Sequence, residues 1–92
     1  MTPTDPATTP ATGPAPRVLV LTRPGCHLCE EAVAVVAAVC AETGSGWTTQ
    51  DITGDADLTR RYTDQVPVTF VDGAQHDYWR VDPRRLRTAL GR

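Results

Sequence analysis

The chain has 92 residues, which suits a single domain, and nine basic residues, all Arg, are set against eleven Asp and Glu. A formal net charge of −2 excludes the dense basic face expected of a nucleic-acid-binding protein. The most apolar run, residues 32–41, covers ten residues where about twenty are needed to cross a bilayer, so we expect no membrane-spanning segment.

The N-terminal segment, residues 1–16, contains five prolines, five threonines and a single charged residue, Asp5. Because such a segment has little apolar surface to bury, we expect it to be a disordered tail that precedes a folded domain, residues 17–92. The tail lacks the basic start and the continuous apolar stretch of a signal peptide, so we expect the protein in the cytoplasm.

The first folded elements predicted are a strand and a long helix. Residues 17–22 are apolar on successive positions, which is typical of a strand in the middle of a sheet with both faces covered. Pro24-Gly25 breaks the strand, and the helical period begins at His27 and ends before Gly44, a favourable residue for closing a helix. One face of this helix is predicted to carry the apolar residues Leu28, Ala32, Val35, Val36 and Val39.

The remaining elements alternate between strands and short helices. Asp72-Gly73 predicts a hairpin turn between the last two strands, and Asp82-Pro83 predicts the start of the last helix. The predicted bounds are a strand at 47–52, a helix at 56–63, strands at 68–71 and 76–80, and a helix at 84–90. The fold class is therefore α/β, in the order β-α-β-α-β-β-α, with a mixed four-stranded sheet flanked by helices.

Cys26 and Cys29 lie where the first strand gives way to the helix. The nucleophile in thiol–disulfide exchange is the thiolate, and a helix N-terminus stabilises it. Arg23 and His27 add positive charge nearby, whereas Glu30 and Glu31 act against it. The spacing of three lets Cys29 attack a mixed disulfide formed on Cys26, so we assign Cys26 as the nucleophile and Cys29 as the resolving thiol.

A cysteine pair with this spacing can also bind zinc or be chemically inert. A zinc site needs about four ligands, and the only further candidates are Cys40, His27 and His76, which lack paired ligand spacing. A strand followed by CxxC and a helix, within a β-α-β pattern, favours redox chemistry over both a zinc site and an inert pair. We therefore assign no metal ligands.

Three motifs together resemble the glutaredoxins of the thioredoxin superfamily. They are Arg23-Pro24-Gly25-Cys26-His27-Leu28-Cys29 after a strand, Gln65-Val66-Pro67 before the next, and Asp72-Gly73 in the hairpin. The resemblance, which covers about residues 17–90, implies a thioredoxin-like fold and a cis Pro67 beside Cys26. It also implies that the Val66 backbone pairs with a bound peptide or glutathione and that Arg23 meets a glutathione carboxylate.

The segment after the hairpin departs from that family. Glutaredoxins usually carry a Gly-Gly pair and an Asp there, whereas this chain has Tyr78-Trp79-Arg80-Val81-Asp82. Asp82 matches the family Asp, but it equally fits the cap of the helix that starts at Pro83. Glutathione and another low-molecular-weight thiol are therefore both candidate co-substrates.

We predict a thiol–disulfide oxidoreductase that reduces protein or low-molecular-weight mixed disulfides, with no bound cofactor and an external thiol as reductant. The candidate substrate-binding residues are Arg23, His27, Val66, Pro67 and Asp82. We expect a monomer with neither nucleic-acid nor membrane partners. The alternatives are a redox-responsive binding module and an iron–sulfur-coordinating glutaredoxin-like protein. Cys40 is expected to be a buried structural thiol rather than a regulatory one, and His76 a solvated strand residue rather than a base. Trp79 is expected to belong to the core, the alternative being a lip of the substrate groove. Arg84, Arg85 and Arg87 are expected to face solvent, the alternative being a surface for an acidic partner.

Overall fold

The computed structural model describes residues 16–91, which form four strands and three helices. In chain order these are β1 (Pro16–Thr22), α1 (His27–Thr43), β2 (Gly46–Asp51), α2 (Ala56–Tyr62), β3 (Val68–Val71), β4 (Ala74–Tyr78) and α3 (Pro83–Ala89). A 3-10 turn, Ile52–Gly54, joins β2 to α2. The predicted disordered tail, 1–16, lies outside the described residues except for Pro16, which is the first residue of β1.

The four strands form one mixed sheet in the order β2-β1-β3-β4. β1 is parallel to β2 and antiparallel to β3, and β3 and β4 form an antiparallel hairpin. The apolar run of β1 occupies an interior position, with Val18, Val20 and Leu21 all buried. This sheet and the order of the elements confirm the predicted fold class. The apolar run of β1 fits its place, because a strand paired on both sides and covered by helices needs apolar residues at successive positions.

The hairpin turn forms at Asp72-Gly73, where both residues have positive φ values of 52° and 85°. The Arg17 guanidinium holds the turn against the start of β1, with its Nε and Nη2 donating to the two Asp72 carboxylate oxygens at 3.0 and 2.8 Å. This pairing lowers the pKa of the Asp72 carboxyl below its usual range.

Helix α1 supplies most of one side of the core. Gly44 ends the helix in the left-handed conformation, as predicted. The fully buried residues of the helix are Cys29, Ala32, Val36, Val39 and Cys40, whereas the predicted face included Leu28 and Val35, which are only half-buried. The buried face is thus centred about one position later than the apolar period indicated.

The element bounds differ from prediction mainly at the ends of β2 and β4. Ile52 belongs to the 3-10 turn, where it is buried, rather than to β2. Strand β4 covers Ala74–Tyr78 instead of 76–80, because Trp79 has a φ of 63° and leaves the extended conformation. None of the helices among residues 16–91 is long and apolar enough to cross a membrane.

Candidate active site

Cys26 and Cys29 form a disulfide at the start of α1, with their Cα atoms 5.2 Å apart. The turn between β1 and α1 positions them, because Gly25 adopts a φ of 69° directly before Cys26. Cys26 is the N-cap residue of α1, and its Sγ accepts a hydrogen bond from the Cys29 N–H at 3.1 Å. The first sulfur therefore lies at the positive end of a helix of seventeen residues.

The two sulfur-bearing residues differ in how far solvent reaches them. Cys29 is 4% exposed and packs in an apolar cluster with Leu21, Ile52, Val66 and Val68. Cys26 lies at the margin of that cluster and is only half-buried. An incoming thiolate or disulfide consequently meets Cys26 first, which is the order that a nucleophile followed by a resolving thiol requires.

His27 lies between the two cysteines in sequence but points into solvent, with its side chain 83% exposed. Its Nδ1 is 3.9 Å from Glu30 Oε1, and its Nε2 is 3.4 Å from Glu31 Oε2. Any positive charge on the imidazole is therefore offset by two carboxylates. The structure thus places Glu30 and Glu31 next to His27, in agreement with the opposing effect expected of them from the sequence.

The Val66–Pro67 peptide bond is cis, and both residues are buried. Val66 joins the apolar cluster that holds Cys29. Its N–H donates to the Tyr62 carbonyl at 3.1 Å, and the Pro67 carbonyl accepts the Trp79 N–H at 2.8 Å. The Val66 carbonyl accepts no backbone N–H within residues 16–91.

Two surface grooves share Arg23 in their linings, and the disulfide lines one of them. One, here called the cysteine groove, has a volume of about 510 Å³ and is lined by Thr22, Arg23, Gly25, Cys26, Cys29, Glu30, Val33, Trp47 and Thr49. The other, here called the aromatic groove, has a volume of about 480 Å³ and is lined by Arg23, Leu28, Thr63, Asp64, Val66, Tyr78, Trp79 and Arg80. The disulfide thus lines the cysteine groove, and Arg23 is the residue that the two grooves share.

Arg23 lines both grooves, and its Nη1 donates to the Thr63 carbonyl at 3.3 Å. Since Thr63 follows the last residue of α2, the guanidinium lies where it complements the negative end of that helix. Arg23 therefore links the loop that carries Cys26 to the aromatic groove.

Trp79 is 51% exposed, so the expectation that it belongs to the core was wrong. Its positive φ turns it out of β4, and its Nε1 donates to the Asp64 carbonyl at 2.9 Å. Sequence reasoning singled out this stretch for its missing Gly-Gly pair but did not find that Leu28 and Asp64 share a groove with it. The signal in the sequence that could have indicated this groove was the bulky aromatic pair, Tyr78 and Trp79, at the end of a polar strand.

Asp82 acts as the N-cap of α3. Its Oδ1 accepts the backbone N–H groups of Arg84 and Arg85 at 2.9 and 3.4 Å. Asp82 is not among the described residues that line either groove beside the disulfide. The structure therefore gives Asp82 the capping position, and it brings together Cys26, Cys29, Arg23 and Val66 without it.

Cys40 and His76 lie outside this site. Cys40 is 2% exposed in the core between α1 and α3, and burial raises the pKa of its thiol while Arg17 opposes the rise. The His76 side chain is only 13% exposed, so the expectation of a solvated residue was wrong. Its Nε2 lies 3.8 Å from Asp77 Oδ2, beyond hydrogen-bonding distance.

Comparison with known proteins places this geometry in a family. Residues 17–91 match the model of the glutaredoxin-like domain (DUF836). An uncharacterised protein of Mycobacterium tuberculosis is 37% identical over 82 residues, which cover 84% of each chain. Among solved structures, a protein of Nitrosomonas europaea is 28% identical with a TM-score of 0.70, over 87% of this chain and 96% of that one.

A second solved structure, from X. campestris, is 32% identical with a TM-score of 0.67, over 79% of this chain and 93% of that one. Glutaredoxin C1 of a poplar hybrid (Populus tremula × tremuloides) has a similar fold at 18% identity and a TM-score of 0.52, over 82% of this chain and 83% of that one. Because the family model spans nearly all of the described residues, the chain belongs to the glutaredoxin-like (DUF836) family.

Proposed function

We propose that this protein is a thiol–disulfide oxidoreductase that reduces protein or low-molecular-weight mixed disulfides through the Cys26–Cys29 pair. The observation that carries the proposal is the asymmetry of the pair, in which a half-buried sulfur caps α1 and a buried one lies a turn behind it. The family of the chain and its thioredoxin-like fold support the same reaction type.

The reaction runs in two exchanges from the reduced dithiol. The Cys26 thiolate attacks one sulfur of the substrate disulfide, the substrate S–S bond breaks, and the first substrate thiolate leaves and takes up a proton. The Cys29 thiolate, having lost its proton to solvent, then attacks the Cys26 sulfur of the mixed disulfide. The second substrate thiol leaves, and the protein disulfide forms. The substrate gains two electrons and the protein loses two.

The position of Cys26 suits it to the first exchange. A thiolate at a helix N-cap accepts a backbone N–H and lies at the positive end of the helix dipole, both of which favour the charged form. The burial of Cys29 suits it to the second exchange, because only a disulfide already formed on Cys26 comes within its reach. Glu30, in the first turn of α1, limits how far the thiolate is stabilised.

Regeneration of the dithiol requires two equivalents of an external thiol, which are oxidised to their own disulfide. We propose glutathione or another low-molecular-weight thiol as this reductant. A thioredoxin-type reductase is the alternative source of the same two electrons. This cycle fits the cytoplasm, where such thiols keep CxxC pairs reduced. The proposed partners are therefore a disulfide substrate and a thiol reductant, with the protein acting as a monomer.

The test is turnover of a disulfide substrate by three variants, each with one cysteine replaced. Cys26→Ser is expected to lose turnover entirely, because the attacking sulfur is gone. Cys29→Ser, assayed without an external thiol, is expected to release one equivalent of substrate thiol and then stop as the mixed disulfide. Cys40→Ala is the matched control, since it removes a thiol from the core and leaves the pair intact. Full activity of Cys26→Ser against several disulfides would overturn the proposal.

A further inference from the structure

Tyr78 and Trp79 form an exposed aromatic pair beside the candidate active site. Their rings are stacked, with centroids 5.0 Å apart and planes 8° from parallel. The two residues are 49% and 51% exposed, although aromatic residues of this size usually gain most from burial. An apolar surface of this kind, next to a reactive disulfide, is a candidate for contact with the substrate.

Trp79 is held in a defined position by two hydrogen bonds. Its backbone N–H donates to the Pro67 carbonyl at 2.8 Å, and its indole Nε1 donates to the Asp64 carbonyl at 2.9 Å. A ring fixed in this way loses little conformational entropy when a ligand covers it, which is why rigid aromatic residues dominate many binding sites. The indole is therefore prepared for contact before the substrate arrives.

The aromatic pair lines the aromatic groove together with two other apolar residues, Leu28 and Val66. Leu28 lies in sequence between the two cysteines, and Val66 packs against the cluster that contains Cys29. A ligand in this groove of about 480 Å³ thus touches apolar side chains on several sides, and two of them, Leu28 and Val66, are neighbours of the cysteine pair in sequence or in packing.

The charges around the groove do not favour a small anionic thiol. The Arg80 Nη1 lies 3.3 Å from Glu31 Oε1, and the Arg23 Nη1 is bound to the Thr63 carbonyl. Asp64 adds a negative side chain to the same lining. The two guanidinium groups of the lining are thus matched in number by two carboxylates, Glu31 and Asp64, and exposed ion pairs of this kind contribute little, so apolar contact is the main attraction that the groove provides.

The Val66 carbonyl supplies one polar contact of a particular kind. It accepts no backbone N–H within residues 16–91, and Val66, although only 5% exposed, lines the aromatic groove. A polypeptide N–H that bonds to this oxygen would lie in the groove that Trp79 and Leu28 also line.

We propose that the Tyr78–Trp79 pair is the specificity-determining wall of the site and that it selects an extended polypeptide disulfide with an apolar side chain next to the reacting cysteine. This inference rests on the proposed oxidoreductase function and adds the class of substrate to it.

The experiment compares two hexapeptides that differ only in Leu or Ser beside their single cysteine, each supplied as a mixed disulfide with 2-mercaptoethanol. Glutathione disulfide is the small anionic comparison. For the natural chain, KM for the Leu peptide is expected to be about tenfold lower than for the Ser peptide, with similar kcat. Trp79→Ala is expected to remove that ratio, and Trp79→Phe, which keeps a flat apolar ring, is expected to keep most of it.

Each outcome bears on one of the two proposals. If the natural chain reduces none of the three substrates, the oxidoreductase function fails and the specificity inference fails with it. If it reduces them but the two peptides have equal KM, or Trp79→Ala leaves their ratio unchanged, only the specificity inference is overturned. A higher kcat/KM for glutathione disulfide than for the Leu peptide also overturns it. Trp47→Ala tests which groove holds the apolar side chain, because Trp47 lines the cysteine groove. If this variant loses the KM ratio between the two peptides, the contact lies in the cysteine groove and the specificity inference is overturned.

Discussion

Gly25 provides a direct test of the loop that positions Cys26. Its φ of 69° lies in the left-handed region, and a Cβ added there would meet no atom within 4 Å, so the substitution Gly25→Ala introduces backbone strain without a clash. Left-handed backbone costs a non-glycine residue roughly 1–2 kcal/mol. Alanine also restricts the unfolded chain, which returns about 0.4–1 kcal/mol. The net loss of unfolding free energy is therefore about 1 kcal/mol.

The assay is thermal unfolding of the reduced protein followed by far-UV circular dichroism. A loss of about 1 kcal/mol lowers Tm by roughly 4–8 °C in a domain of this size. Gly54→Ala is the matched control: its Cβ also meets no atom within 4 Å, but its φ lies outside the left-handed region. Gly54→Ala should therefore keep or slightly raise Tm. A Gly25→Ala variant as stable as the natural chain would refute the assigned loop conformation.

Three further predictions concern the other thiol, an ion pair and the core. Iodoacetamide should modify Cys26 of the reduced native protein well before Cys40, whose thiol is buried with a raised pKa; peptide mapping that finds equal rates would contradict this. The Asp72 carboxyl, whose pKa is lowered by Arg17, stabilises the fold above its unfolded-state pKa near 3.8 and loses this effect as pH falls through the folded value. Asp72→Asn should therefore lower Tm at pH 7 but not near pH 2, and an equal loss at both pH values would count against the pairing. Leu86→Ala, at a side chain with no exposed surface, should cost about 2–5 kcal/mol in urea unfolding; a loss under about 1 kcal/mol would mean that α3 is loosely packed.

The parts of the fold that sequence predicted well are those set by neighbouring residues. The successive apolar residues of β1 indicated an interior strand, and Asp72-Gly73 indicated a hairpin turn, because both signals act within a few positions. The order of elements and the parallel pairing of β1 with β2 followed from those local assignments. The same is true of the end of α1 at Gly44, where only a left-handed residue closes the helix.

The end of β4 could not be predicted in the same way. Trp79 leaves the strand because its backbone and indole N–H groups bond to the carbonyls of Pro67 and Asp64, which are twelve or more positions away in sequence. Leu28 has the right helical spacing for the core, but it lies in the first turn of α1, where it lines a groove instead. In both cases a tertiary contact decided the outcome, and no local pattern encodes it.

For the candidate site, the motif located the cysteines, while the three-dimensional structure located their surroundings. The sequence indicated that Cys26 is more accessible than Cys29, because Cys26 lies at the start of the helix and Cys29 lies one turn into it. The role of Asp82 stayed ambiguous in sequence, since an Asp before Pro83 suits both a ligand and a cap. Its hydrogen bonds to two backbone N–H groups of α3 give it the second role.

The central claim is that Cys26 is the attacking sulfur, and the most direct test is to trap its adduct. The Cys29→Ser variant is incubated with a peptide disulfide, digested under non-reducing conditions and mapped by mass spectrometry. We predict one covalent adduct per chain, on Cys26, that dithiothreitol releases. Two results would contradict the claim. One is an adduct on Cys40 of the Cys29→Ser variant. The other is the absence of an adduct on Cys26 of that variant, together with an adduct on the Cys26→Ser variant in equal yield.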